Sequence, residues 1–276
     1  MFRHFLNILD PVPGIRRIYG SRDLLKRLVR RNVASKYQGA FLGGIWNFIQ
    51  PLMMLVIYTY VFSVIFKARW GIGIGPSRGS FAVILFCGMA LFSVFSDSVV
   101  SASTQIISNP NYVKKVVFPL QLLPLAQVLA VFIQGGVWLL LLLLGAVFIY
   151  GNLSFSMLLL PIVVLPLFFN AAGIAFLVSS LSVYIRDTPY VLGVIFQVLF
   201  FLTPIFYPVS AVPERFRPLL ELNPLTAIIE QTRQVLLFAQ IPAWHDVALS
   251  WGIGVVVCLL GFAWFNQTQK GFADVI

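Results

Sequence analysis

From Val116 to Ile185 the chain carries no charged side chain for 70 residues. At 1.5 Å per residue a single helix of that length would reach roughly 105 Å, far more than the ~30 Å of hydrocarbon one crossing needs. The run has to fold back on itself. Tyr150-Gly-Asn-Leu-Ser-Phe-Ser156 is the turn-rich place to do so. Two membrane spans follow from this feature alone.

Other charge-poor runs add to the count. Tyr37 to Phe66 is one, and Gly79 to Val113 is interrupted only by Asp97. Thr188 to Pro213 and Val247 to Gln269 complete the set. The sequence thus predicts an all-α polytopic membrane protein with six transmembrane helices, at about 41–66, 80–107, 121–149, 155–183, 188–207 and 247–266. Composition excludes an aqueous fold: 59% of residues are apolar, 10% are charged, and 26 are Phe. The net charge of +10 would point to nucleic acid in a soluble protein. Here the cations flank spans, and the bias of Lys and Arg toward the cytoplasm explains them without nucleic acid. With the N-terminus inside, inner segments hold 13 Lys and Arg and outer segments hold 6. Both termini are therefore expected in the cytoplasm, with 270–276 as a short tail. Residues 1–20 are broken by Asp10-Pro-Val-Pro-Gly14 and show no cleavable signal, so the first span is expected to direct insertion. Cys87 and Cys258 fall inside apolar runs and imply packed thiols, not a disulfide framework.

Residues 1–36 form a cytoplasmic N-terminus with a two-faced basic stretch from Ser21 to Tyr37. On a helical wheel Leu24, Leu25, Leu28, Val29 and Val33 share one side; Lys26, Arg27, Arg30 and Arg31 share the other. Such a helix lies in a membrane interface, cations toward anionic headgroups. Two readings are open: an ordinary basic anchor, or an interface helix that bears on a partner and is linked rigidly to the first span. Pro51 is expected to kink that span. The second span carries Ser93, Ser96, Ser98, Ser101, Ser103 and Thr104, so one face should meet protein or water. Asp97 is costly in hydrocarbon and should face the bundle or a cavity, either bonded to its serine neighbours or serving transport. Beyond the fifth span, residues 208–240 mix prolines with an apolar helical pattern after Asn223-Pro224. They read as an outer hairpin of two short re-entrant or interfacial helices, or as a plain surface loop.

Catalytic chemistry is scarce. His4 and His245 are the two histidines, and no His/Cys/Asp/Glu group has metal-ligand spacing. There is no G-x-x-x-x-G-K-[ST], and Gly71-Ile-Gly-Ile-Gly75 lacks the dinucleotide spacing. Carriers driven by proton or sodium gradients use intramembrane carboxylates, and Asp97 is the single one deep in a span. If the chain moves something uphill, the energy is expected from a separate ATPase.

Four stretches carry a family resemblance: Tyr37-Gln-Gly-Ala-Phe-Leu-Gly-Gly-Ile-Trp46 to Gln50-Pro-Leu52; Asn109 to Pro119 with its Val-Lys-Lys-Val core; Asn223-Pro-Leu to Arg233; and the terminus Gly271-Phe-Ala-Asp-Val-Ile276. In this order the chain resembles the permease subunit of ABC-2 type polysaccharide exporters, closest to O-antigen export systems. The resemblance implies a homodimer of six-span subunits, two ABC ATP-binding subunits that hold ATP and Mg, no cofactor in this chain, and a polyprenyl-diphosphate-linked polysaccharide cargo. It also implies coupling segments, placed by position at Asn109, Tyr112, Lys114, Lys115 and Phe118 and at Tyr184, Arg186 and Asp187. Arg27, Arg30 and Arg31 suit a lipid diphosphate on its way in, or equally the headgroups of the bilayer. A sugar polymer needs flat aromatic faces more than fixed charge, which marks Tyr58, Phe62, Phe66, Phe92, Phe95, Phe200 and Phe206 as a pathway lining. The same rings could instead pack or face lipid. Two other functions remain open at this point. One is ABC-2 export of teichoic acid, capsule or a small hydrophobic drug. The other is a membrane enzyme acting on polyprenyl-linked sugars, for which the acids on offer are Asp97, Glu214, Glu221 and Glu230.

Overall fold

The computed structural model describes residues 18–65, 78–114, 118–151 and 154–276. Among them every regular element is a helix. The basic stretch forms α1 (Arg22–Ser35), with Asp23 favourably placed in its first turn against the helix dipole. Leu28 is buried, Leu24, Leu25 and Val29 pack on the core, and Arg27, Arg30 and Arg31 are exposed. α1 lies along the long helix α5 (Leu122–Tyr150). Between the two helices runs a groove of about 550 Å³, walled by Leu25, Val29, Val33, Leu129 and Ile133 together with Lys26 and Arg30.

Gly39 and Gly43 take positive φ, 86° and 49°, where side chains are disfavoured, and so turn the chain from α1 into α2 (Trp46–Thr59). Pro51 lies within α2, and six residues of π-helix, Tyr60–Ile65, follow. Asn47 fastens this segment to α5. Its Nδ2 donates to the Gln134 carbonyl at 3.2 Å, and its own carbonyl accepts from Trp138 Nε1 at 3.1 Å.

α3 (Arg78–Ser103) is the central helix: most of its length is buried, whereas most of α5 is not. It packs on α5, on α6 (Leu160–Tyr184) and on α7 (Thr188–Leu202). Its first buried turns read Phe81, Val83, Ile84, Leu85 and Phe86, with no polar stripe among them. Two short helices, α4 (Pro110–Lys114) and α8 (Arg217–Glu221), sit in connections. α9 (Pro224–Leu236), α10 (Trp244–Thr268) and α11 (Phe272–Val275) complete the chain.

Four helical stretches among the described residues, Ser80–Ser103, Leu122–Ile149, Phe155–Tyr184 and Trp244–Val275, are long and apolar enough to cross a bilayer. The first and fifth expected spans appear as shorter pieces. α7 ends at Leu202, and its 15 residues reach roughly 22 Å at 1.5 Å per residue. The chain leaves helical geometry at Thr203, directly before Pro204, because a residue preceding proline is pushed toward extended backbone. The second span is likewise shorter than 80–107: α3 stops at Ser103 and a turn occupies 104–108.

The Asn-Pro pair at the start of α9 has a local reason. Pro224 takes the first helical turn, where no amide hydrogen is needed. Asn223 caps the helix by accepting from the Leu225 amide at 3.1 Å, while its Nδ2 donates to Thr203 Oγ1 at 3.0 Å. That second bond ties α9 to the break after α7. α9 is not a surface loop: Ile228, Ile229, Thr232, Arg233 and Val235 are fully buried, and the helix packs on α3, α6 and α10.

Candidate coupling face and aromatic interior

The segments between spans converge at one end of the bundle. Asn109 Nδ2 donates to the Gln105 carbonyl at 2.8 Å and so holds the start of α4 against the end of α3. Tyr112 packs on Phe118, ring centroids 4.5 Å apart, and its hydroxyl accepts from Arg31 Nη1 at 3.4 Å. The basic helix α1 therefore touches the first short loop directly. Lys114 is exposed beside them, and Lys115 lies outside the described residues.

The second short loop joins the same face through the C-terminus. Tyr184 Oη donates to the Thr268 carbonyl at 2.9 Å, and its ring meets Phe272 at 6.0 Å. Phe272 is fully buried, and α11 packs on both α4 and α6. Gln121 Nε2 donates to Asn266 Oδ1 at 2.8 Å, closing the join between α5 and α10. Arg186 and Asp187 project from this face, both exposed, with no ion pair between them. The Gly271-Phe272 motif at the terminus was visible in the sequence; that it clamps the two short loops together was not.

The three arginines of α1 have different surroundings. Arg31 turns to Tyr112, Arg30 lines the apolar groove with Lys26, and Arg27 is exposed.

Five of the seven aromatic candidates can be placed, and they meet. Tyr58 lies 6.1 Å from Phe200 and 5.4 Å from Phe206; Phe92 lies 5.2 Å from Phe200; Phe200 lies 5.1 Å from Phe206. Phe196, not singled out in the sequence, links Phe92 and Phe95 at 6.2 and 5.8 Å. It sits one helical turn before Phe200, which is the signal that would have found it. Phe92, Phe95 and Phe206 are buried within the single subunit, whereas Tyr58 and Phe200 are half-buried. The side chain of Phe62 and the whole of Phe66 lie outside the described residues.

Asp97 lines a polar pocket, as a carboxylate in a span should. Its carboxylate lies 3.9 Å from Lys36 Nζ, and it is its backbone carbonyl that accepts from Ser101 Oγ. Of the acids considered for enzyme chemistry, Glu214 pairs with Arg217 at 3.7 Å and Glu230 with Arg233 at 2.8 Å.

Four apolar helices of membrane length make this the fold of a multi-pass membrane protein. The ABC-2 type transporter family model matches residues 23–237, and the chain belongs to that family. It is 27% identical over 266 residues to the O-antigen export system permease protein RfbA of Myxococcus xanthus, covering 95% of this chain and 98% of that one. It is 24% identical to the protein of the same name from Klebsiella pneumoniae, covering 92% and 95%. A second Klebsiella pneumoniae permease of that name is 23% identical with the same coverage.

Proposed function

We propose that this chain is the membrane subunit of an ATP-driven exporter of lipid-linked polysaccharide in the cytoplasmic membrane. It would work as a homodimer with two separate ATP-binding subunits that hold ATP and Mg, and with no catalytic role or cofactor of its own. The observation that carries the reading is the convergence of α1, α4, the Tyr184–Thr188 turn and α11 on one face. A displacement delivered there reaches α3, α5, α6 and α10 through packed contacts with little slack. On this reading the face is cytoplasmic, both termini are inside, and Asn109, Tyr112, Lys114, Lys115, Phe118, Tyr184, Arg186 and Asp187 receive the stroke. α2 with Tyr60–Ile65, and α7 with the following 203–207, supply the two remaining crossings. α8 and α9 cap the outer side.

The cargo assignment rests on the names of the relatives and on the aromatic interior. α7 exposes Val191, Val194, Ile195, Val198 and Phe201, and α2 exposes Leu52, Met53, Val56 and Ile57. A second copy seated on these apolar surfaces would bring two Tyr58–Phe200 clusters to face each other across a shared path. The polyprenyl diphosphate would approach along α1, near Arg27, Arg30 and Arg31.

Two experiments test this. Deleting the chain while synthesis stays intact should leave finished polysaccharide in the cytoplasm and remove it from the surface; normal surface polymer sinks the cargo assignment. Changing Lys114 and Lys115 together to Glu should reverse the charge of the coupling face and abolish export, with membrane levels unchanged. Normal export by that variant would remove the coupling role from the loop.

A further inference from the structure

Where α1 ends, a polar pocket of about 430 Å³ opens between α1, α3 and α5. Lys36, Asp97, Ser101, Gln105, Gln127 and Gln134 line it. It lies on a different side of α1 from the apolar groove, so one amphipathic helix separates an oily compartment from a hydrophilic one. Asp97 sits six residues before the end of α3, roughly 9 Å inside it. So much hydrogen-bonding capacity at that depth is costly unless something uses it.

Two details show that the capacity is open. Gln134 is 6% exposed, yet its Oε1 has no hydrogen-bond partner among the described residues. Buried amide oxygens in native proteins are nearly always bonded, so this one is short of a donor. Lys36 and Asp97 are 3.9 Å apart, longer than a hydrogen bond, with side chains 36% and 53% exposed. Each can still serve a ligand.

The mixture of groups decides which ligand. An inorganic phosphate is chiefly an acceptor and carries at least one negative charge, which the Asp97 carboxylate would repel. A sugar hydroxyl donates and accepts, and so matches side-chain amides, a serine, a carboxylate and an ammonium in one pocket. We infer that this pocket is a binding site for a sugar ring, holding the hydroxyl-rich head of the cargo beside α1 before it moves into the membrane. The inference rests on the polysaccharide export reading and adds a place and a set of residues to it: Asp97 and Gln134 accept from hydroxyls, Gln127 and Gln105 do both, and Lys36 donates. α1 also contacts Tyr112 through Arg31, so a sugar in the pocket touches the helix that meets the coupling loop.

The test uses the full chain in lipid nanodiscs with glucose, glucose 1-phosphate and inorganic phosphate as probes, read by saturation-transfer NMR. Glucose and glucose 1-phosphate should bind, and inorganic phosphate should not displace glucose. Asp97→Asn and Gln127→Leu should each weaken glucose roughly tenfold, the loss expected for one hydrogen bond with a charged or buried partner. Gln105→Leu, at a half-buried position, provides the same reading if either variant fails to fold. Displacement of glucose by inorganic phosphate would make this a simple anion site on Lys36 and overturn the inference. So would absence of glucose binding to the wild type, or unchanged binding in folded variants. The export reading stands or falls separately, on where polymer accumulates in cells lacking the chain.

Discussion

Leucine in place of Gly261 is expected to remove folded protein from the membrane. α6 and α10 form the most extensive helix pair of the structure, and they approach through glycines. A Cβ built on Gly261 collides with the backbone carbonyl of Gly173. A Cβ on Gly173 would in turn meet the Val257 carbonyl and, at 2.6 Å, the Cys258 amide nitrogen. In hydrocarbon no solvent drives helices together, so close backbone approach through small residues supplies much of the association. Overpacking a core costs about 1–3 kcal/mol when side chains can shift; here the obstacle is main chain, so a loss above about 3 kcal/mol is expected. The thermal midpoint in nanodiscs and the membrane level of the variant give the readout. Gly252→Leu on the same helix, where nothing lies within 4 Å of the added Cβ, should behave as wild type. A wild-type midpoint for Gly261→Leu would mean that α6 and α10 do not cross here.

Arg233→Met is the second large effect expected. Arg233 is fully buried, at 0% exposure. Its guanidinium donates to the carbonyls of Pro204 at 2.8 Å, Ile205 at 3.1 Å and Ile84 at 3.4 Å, and to Glu230 Oε1 at 2.8 Å. The carbonyls of 204 and 205 exist as acceptors because α7 stops at Leu202 and the chain runs irregularly beneath α9. Irregular backbone among membrane helices persists where protein satisfies its polar groups. Gly88 makes room for the fork: a Cβ there would lie 2.8 Å from Arg233 Nη2. Removing Arg233 leaves the three main-chain carbonyls without their donor, at about 1–3 kcal/mol for each unsatisfied buried group, while Glu230, with 31% of its side chain exposed, can still reach water. Arg233→Lys should recover part of that loss, since an ammonium keeps the charge but cannot fork to four acceptors. Denaturation midpoints of the two variants check this. Equal midpoints for Arg233→Met and wild type would show that the break after α7 needs no donor.

Much of the fold was legible because hydrocarbon imposes a simple rule on composition. The run from 116 to 185 had to turn near Gly151, and it does: Gly151 takes φ 73° at the end of α5. The alternation of apolar and basic residues from Leu24 to Arg31 had to make a two-faced helix, and α1 is one, its apolar face packed on the core and Arg27, Arg30 and Arg31 exposed. Asn223-Pro224 announced a helix start, and α9 begins there. The two short, proline-bounded loops that hold the candidate coupling residues were legible in the sequence. Their meeting through Arg31, Tyr112, Tyr184 and Phe272 was not, because those residues are far apart in the chain and carry no periodic signal.

Other readings failed for a common reason: a single sequence does not tell which polar residue finds which partner. Arg233 looks like an exposed loop cation when charges are counted along the chain, yet its side chain is wholly buried in the protein. Asp97 sits among serines that look like its natural partners, and its carboxylate faces Lys36 from another helix. Aromatic residues read as a lining turn out to include three, Phe92, Phe95 and Phe206, that are buried against neighbours in one subunit.

The sequence by itself determined that this chain is helical, that it lives in a bilayer, and where its amphipathic and proline-bounded segments lie. Those properties follow from hydrophobicity and backbone sterics, which act locally and can be summed along the chain. Tertiary structure alone decided that α3 is central, that α6 and α10 touch through Gly173 and Gly261, and that Arg233 closes the gap after α7. It also decided that a polar pocket forms where Lys36, Asp97 and Gln134 meet. These depend on which surfaces exclude one another in three dimensions, and that selection among many possible pairings is made only when all the helices pack at once.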